Sequence, residues 1–194
     1  MNIGSTIKPV LGVFVGGRGE RMGRVQKALL LAPGGRETLL TRTLGVGRAA
    51  GLEPVLVGAA ELGEAAAGLP QVMDHEPRVG PLSGLSSLLD FAGERPVIAV
   101  ACDMPRLDVA VLQRLLREQP QAVVLAPRDV ATGKWHPLCT RYAPAQVRPV
   151  LASALERGAR SFQALFRELS VVELAVSEAE RSTLDDWDSP EDMA

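Results

Sequence analysis

Two apolar rhythms alternate along this chain. Short, nearly unbroken apolar runs read as buried strands: VLGVFVG at 10–16, EPVLVG at 53–58, LPQVMD at 69–74, PVIAVACD at 96–103, QAVVLAP at 121–127 and SVVELAV at 170–176. Between them lie stretches whose apolar positions recur three and four apart. ETLLTRTLGVGRAAG carries Leu39, Leu40, Leu44 and Val46 at helical spacing and stops at Gly51, a residue type suited to a helix C-terminus. AAELGEAAAG at 59–68 is predicted helical from its alanines. SGLSSLLDFAG at 83–93 is predicted as the next helix, with Ser83 or Ser86 as its cap. RLDVAVLQRLLREQ is amphipathic, with Asp108 placed as N-cap. PAQVRPVLASALERGA and SFQALFREL read as two further helices, the second capped by Ser161. HPLCTRY at 136–142 alternates and is a candidate strand of opposite direction.

Strand–helix alternation of this kind predicts one α/β domain over residues 9–194, after a short lead-in at 1–8, built on a mostly parallel, doubly wound sheet. Sheets of this type bind ligands in the crevice beyond the carboxyl ends of their strands. The chemistry is therefore sought where the predicted strands end.

Composition changes this picture little. With 194 residues, 46% hydrophobic and 23% charged, the chain can bury a substantial core. A net charge of −2 gives no global reason to expect nucleic acid or an anionic membrane as partner. No apolar run reaches the roughly 18 residues of a membrane span. Cys102 and Cys139 follow no secretory leader and read as reduced thiols of a cytoplasmic protein.

The first predicted strand ends in VGGRGERMGRVQK, Val15 to Lys27. Glycines at 16, 17, 19 and 23 allow backbone N–H groups to close on an anion, and Arg18, Arg21, Arg24 and Lys27 add positive charge. The ligand this suits is a polyphosphate, and the alternative is a surface loop of solvated charges. The Walker pattern fails because Lys27 follows Gln26 and precedes Ala28. The dinucleotide fingerprint fails because Gly17, Gly19 and Gly23 are spaced one residue too widely. A lysine about 4 Å from a phosphate charge gains only ~1 kcal/mol in water but roughly 4 at an effective dielectric near 20. Lys27 therefore matters most if the loop closes over the phosphates.

ACDMP places Asp103 where the clearest buried strand ends, with Pro105 forcing a turn. Asp103 either caps that turn through its own backbone or holds Mg2+, which favours one or two carboxylates plus phosphates and waters. DHEPRVGPLSG, Asp74 to Gly84, also follows a strand, and Gly80, Pro81 and Gly84 mark a rigid turn into a helix. His136 in KWHPL is held extended by the proline after it, and as a lone histidine reads as a structural hydrogen bonder rather than a base. No spacing suggests a catalytic triad or a zinc site.

Taken in order, these motifs resemble the molybdenum cofactor guanylyltransferases. FVGGRGERMGRVQKALL is similar to that family's LAGGxxxRMGxDKxLL, GPLSGL to GPLAGI, CDMP to CDMP, HPL with Tyr142 to hPL…Y, and DWDSPEDM to NxNTPEDL. The resemblance implies a Rossmann-like nucleotidyltransferase fold of the nucleotide-diphospho-sugar transferase type. It implies transfer of GMP from Mg-GTP to the terminal phosphate of molybdopterin, with release of pyrophosphate. It further implies backbone contacts from Phe14, Val15 and Gly16 to the base. Gly17, Gly19, Asp74 and Gly80 would complete the nucleotide site, Arg21 and Lys27 would work on the phosphates, and Asp103 would hold Mg2+. His136, Asp186 and Asp188 would face the acceptor. Molybdoenzymes or other cofactor-assembly proteins would receive the product. Where the family carries Asp before the lysine and asparagines in the tail, this chain has Gln26, Asp186 and Asp188. Two readings remain beside this one: a sister enzyme using CTP or another phosphate acceptor, and a non-catalytic paralogue that binds nucleotide or cofactor. Intact Lys27 and Asp103 argue against the carrier.

Overall fold

The computed structural model of the protein describes residues 8–15, 26–73 and 80–187. Among the described residues seven strands form one sheet in the order β3-β2-β1-β4-β6-β5-β7. They are β1 (Val10–Phe14), β2 (Glu53–Val57), β3 (Gln71–Val72), β4 (Val97–Ala101), β5 (Val124–Ala126), β6 (Cys139–Tyr142) and β7 (Val171–Glu173). β1 pairs in parallel with β2 and with β4, and β2 in parallel with β3. β6 runs antiparallel between β4 and β5, which gives HPLCTRY the reversed direction its alternation suggested. β7 extends the sheet in parallel beside β5. The α/β prediction with a mostly parallel sheet holds.

Alternate residues of β1 face opposite cores, as the two-residue period of a strand requires. Leu11, Val13 and Val15 pack with Leu40 and Leu44 of α1 (Leu39–Ala49) and with Val111, Leu112 and Leu115 of α3 (Val109–Arg117). Val10 and Phe14 pack with Leu82, Leu85, Leu88 and Leu89 of α2 (Pro81–Ala92), Leu151 of α4 (Pro144–Glu156) and Phe162 of α5 (Phe162–Phe166). The central strand thus lies between two helical layers. A Cβ on Gly12 would stand 2.2 Å from Leu88 Cδ2, and one on Gly47 2.2 Å from Leu11 Cδ2, so glycine on strand and helix sets how closely both layers approach β1.

Several boundaries differ from the prediction for local reasons. The alanine-rich stretch forms only a 3-10 turn at Gly63–Ala66, because Gly63 takes φ +53° and Gly68 φ +73° at its flanks. α2 begins at Pro81 after Gly80, and Ser83 and Ser86 lie inside it rather than capping it. A proline at N1 needs no N–H, and Gly80 at φ +88° makes the turn no other residue makes easily. Asp108 and Ser161 do cap α3 and α5, accepting from Val111 N–H and Ala164 N–H. Beyond β7, α6 (Glu178–Arg181) opens with a full capping box between Ser177 and Glu180, an element the hydrophobic pattern does not reveal. It leads through a 3-10 turn at Ser182–Leu184 back toward the end of β4.

Candidate active site

Chain order makes β1 the turning point of the sheet. From β1 the strands run outward through β2 to β3, and the chain then crosses back to lay β4 on the other flank of β1. The crevice at the carboxyl ends of β1 and β4 is the topological switch point. The predicted phosphate loop leaves from β1 here and Asp103 leaves from β4.

Lys27 opens a 3-10 turn, Lys27–Leu29, and its Nζ donates to Asp103 Oδ2 at 2.8 Å. The two side chains are 19% and 16% exposed, so the pair is sheltered yet open to solvent on one side. Seventy-six residues separate them in sequence. The turn bearing Asp103 is fixed from four directions. Cys102 N–H donates to the Phe14 carbonyl at 3.1 Å, and Leu107 N–H to the Met104 carbonyl at 3.2 Å. Arg42 Nε of α1 donates to the Pro105 carbonyl at 2.7 Å, and Trp187 N–H to the Asp103 carbonyl at 2.9 Å. Met104 and Leu107 are buried beneath it.

Cys102 beside the pair is no nucleophile. Burial, aided by the Asp103 charge against the opposing Lys27, pushes its thiol up to about 12. Cys139 on β6 is likewise pushed up to about 12 by burial, and both thiols are free. Among the described residues no group of three or more His, Cys, Asp or Glu gathers as a metal cage. A single sheltered carboxylate suits the one divalent ion that keeps most of its waters and arrives with phosphates, Mg2+.

The second side of the crevice is built on β6. Cys139 pairs with Val100, and Ala101 N–H donates to the Leu138 carbonyl at 3.3 Å, so His136–Leu138 lies at the same sheet end as Asp103. This segment is held by its backbone. Gln163 of α5 accepts from Trp135 N–H at 3.3 Å and donates to the Trp135 carbonyl at 2.8 Å. His136 N–H donates to the Pro127 carbonyl, Thr140 Oγ1 to the His136 carbonyl, and Tyr142 OH to the Pro137 carbonyl at 2.8 Å. Tyr142 is fully buried, which raises its phenol well above the usual range and keeps it a donor. The spacing of HPL and Tyr142 thus has a physical cause. Arg128 stacks over the Trp135 ring with Cζ 5.3 Å from the centroid.

The predicted site residues divide plainly. Lys27 and Asp103 meet, and Trp187 brings Asp186 to the turn after β4 by chain continuity. Phe14 and Val15 sit at the end of β1, where the Phe14 carbonyl and Val15 N–H are engaged by Cys102 and Val57. Gly80 stands at the start of α2, with the Arg160 carbonyl 3.7 Å from where its Cβ would be. Gly16, Gly17, Gly19, Arg21, Asp74 and Asp188 lie outside the described residues. The sequence reading gave no role to Arg42, Gln163 or Trp187. Only Trp187 left a signal, an aromatic residue in an otherwise acidic tail.

A lysine that meets an aspartate in a switch-point crevice of a mostly parallel sheet is the setting of a nucleotide-handling α/β protein. The chain belongs to the MobA-like NTP transferase domain family, whose model matches residues 12–172. It is 37% identical over 191 residues to a protein of Opitutus terrae named probable molybdenum cofactor guanylyltransferase, covering 93% of this chain and 90% of that one. It is 31% identical over 182 residues to the molybdenum cofactor guanylyltransferase of Xanthomonas euvesicatoria pv. vesicatoria, covering 92% and 89%. Its fold is similar to molybdopterin-guanine dinucleotide biosynthesis protein A of Archaeoglobus fulgidus, with TM-score 0.76, 23% identity and 94% of each chain covered. No helix among the described residues is long and apolar enough to cross a membrane.

Proposed function

We propose that this nucleotidyltransferase uses Mg-GTP and molybdopterin, moving GMP onto the terminal phosphate of the pterin and releasing pyrophosphate. The observation that carries this is the Lys27–Asp103 pair at 2.8 Å in the switch-point crevice, in a chain whose full-length relatives bear the guanylyltransferase name. An oxygen of the acceptor phosphate forms a bond to the α-phosphorus of GTP while the bond from that phosphorus to the bridging oxygen breaks. The acceptor is already an anion, so no general base is required; the barrier is the repulsion between two anions. Lys27, turning from Asp103 to the phosphates, supplies one positive charge. Mg2+ held by Asp103 supplies, when bound, further neutralisation of the phosphate oxygens. Arg21 adds to the cationic side. The rigid backbone of Trp135–Pro137 presents His136 on the β6 side, where the acceptor enters, with Asp186 nearer the tail. Base recognition falls to Gly16 and Asp74, while Phe14 and Val15, with the Phe14 carbonyl held by Cys102 and the Val15 N–H by Val57, fix where the chain leaves the sheet, and Gly80 opens the helix beside them. The reaction takes place in the cytoplasm, and molybdoenzymes receive the product.

The test is pyrophosphate release from each of GTP, CTP, ATP and UTP with Mg2+ and molybdopterin. Release confined to GTP is expected. Preference for CTP, or release that ignores molybdopterin, would overturn the substrate assignment.

A further inference from the structure

The lysine and the aspartate of the site reach each other from separate parts of the chain, and something must set the distance between their backbones. A closed circuit of contacts does so. The Lys27 carbonyl accepts from Leu30 N–H at 3.0 Å, and the Leu30 carbonyl accepts from Leu39 N–H at 2.9 Å. Leu39, the first residue of α1, lies in a small apolar cluster with Ala32 and the Trp187 ring, and Leu30 packs against that cluster. Trp187 N–H donates to the Asp103 carbonyl at 2.9 Å, and the Asp103 carboxylate meets Lys27 Nζ at 2.8 Å. Each link is either a hydrogen bond or buried apolar contact. Trp187 links the two halves from the side of the tail: its ring packs with the Lys27 segment and its backbone N–H holds Asp103.

We propose that Trp187 is a positioning residue of the active site, a buckle in the C-terminal tail that fixes the spacing between the Lys27 ammonium and the Asp103 carboxylate. The inference rests on the reading that Lys27 and Asp103 form the working pair. α1 is a second brace, since Leu39 N–H holds the Leu30 carbonyl and Arg42 Nε holds the Pro105 carbonyl, but neither bonds to Asp103 itself as Trp187 N–H does. Removing the ring loosens one of the ties that set the spacing of the two functional groups. Displacement of about 1 Å at a reacting centre costs on the order of 10²-fold in rate.

The residue has two separable parts. Trp187→Ala removes the ring and keeps the N–H; Trp187→Pro removes both; Trp187→Phe keeps the N–H and an aromatic ring. Four readouts are taken on variants that melt cooperatively, well below their Tm. They are kcat for pyrophosphate release, KM for GTP, the Mg2+ concentration giving half-maximal rate, and the Mg2+ concentration giving half of the thermal shift produced by GTP. Trp187→Ala and Trp187→Pro are expected to lower kcat roughly tenfold or more. Both Mg2+ midpoints rise, KM for GTP stays within about threefold, and Trp187→Phe restores parent behaviour. A fall in Tm alone, with kcat and both Mg2+ midpoints unchanged, would make Trp187 a packing residue and overturn the proposal. If Trp187→Ala does not fold, Trp187→Leu takes its place. Lys27→Ala, run in parallel, separates the two failures: full activity there removes the working pair itself, whereas an inactive Lys27→Ala beside a fully active Trp187→Ala removes only the buckle.

Discussion

The function proposed for the Lys27–Asp103 pair gives it two tasks that predict opposite responses to ligand. Without nucleotide each neutralises the other. At 2.8 Å an effective dielectric near 20 gives roughly 6 kcal/mol of gross attraction, and bulk water roughly 1.5. Desolvation of two groups that are each less than one-fifth exposed offsets much of this. The net coupling expected lies between that of an exposed pair and a buried one, about 1–3 kcal/mol. Lys27→Met, Asp103→Asn and the double variant, unfolded in urea without ligand, give this coupling directly. Each kcal/mol moves Tm by about 2–4 °C in a domain of this size. Under the proposed function the coupling should shrink with saturating GTP and Mg2+, since that reading turns Lys27 to phosphate and Asp103 to the metal. Turnover should respond far more than stability: loss of a sheltered lysine from the phosphates costs roughly 4 kcal/mol, about a thousandfold in rate. Zero coupling in the ligand-free protein would refute the pair. Coupling unchanged by ligand, with turnover preserved in Lys27→Met, would show the pair to be structural only.

Tyr142→Phe removes the donor to the Pro137 carbonyl at 2.8 Å from a fully buried ring, and should cost about 1–2 kcal/mol in urea melts while raising the acceptor KM more than the GTP KM. Glu180 accepts from the Ser177 backbone and hydroxyl and from Arg114, which hold its carboxyl at about 2, below the ordinary 4.5. A carboxyl lowered on folding stabilises fully above its unfolded value and loses that contribution as pH falls through its folded value. The protein should therefore lose about 1 kcal/mol between pH 4.5 and 2 from this group, an amount reduced by solvent screening, and Ser177→Ala, which keeps the backbone donor and loses the hydroxyl, should make that part of the pH–stability curve shallower. Asp186→Asn removes one exposed negative charge from the tail segment next to the Asp103 turn, and should lower the acceptor KM several-fold at low salt with the effect fading at high salt; a raised KM would place the acceptor elsewhere.

The alternation of apolar runs with helical spacing was enough to fix the α/β class, six of the strand positions and the direction of β6. The burial of Leu11 and Val13 on one face and Val10 and Phe14 on the other is written in their two-residue period. Caps at Asp108 and Ser161 are local events and were legible for the same reason. So was the candidacy of Lys27 and Asp103, since each follows a recognisable strand end and carries a charge suited to phosphate or metal. Where glycine φ values or a proline at N1 overrode composition, as at Gly63–Ala66 and Pro81, the local pattern misled.

The meeting of Lys27 with Asp103 could not be read from one dimension. It depends on β4 returning to the flank of β1, a choice made by helices that must cover both faces of the sheet. Trp187, Arg42 and Gln163 act through backbone carbonyls and N–H groups distant in sequence, and a backbone group carries no signature of its partner in the residue that owns it. Sequence periodicity records which side of an element is buried; it does not record which element lies against it. The chain alone supplied the charges of Lys27 and Asp103, and only the fold brought them within bonding distance.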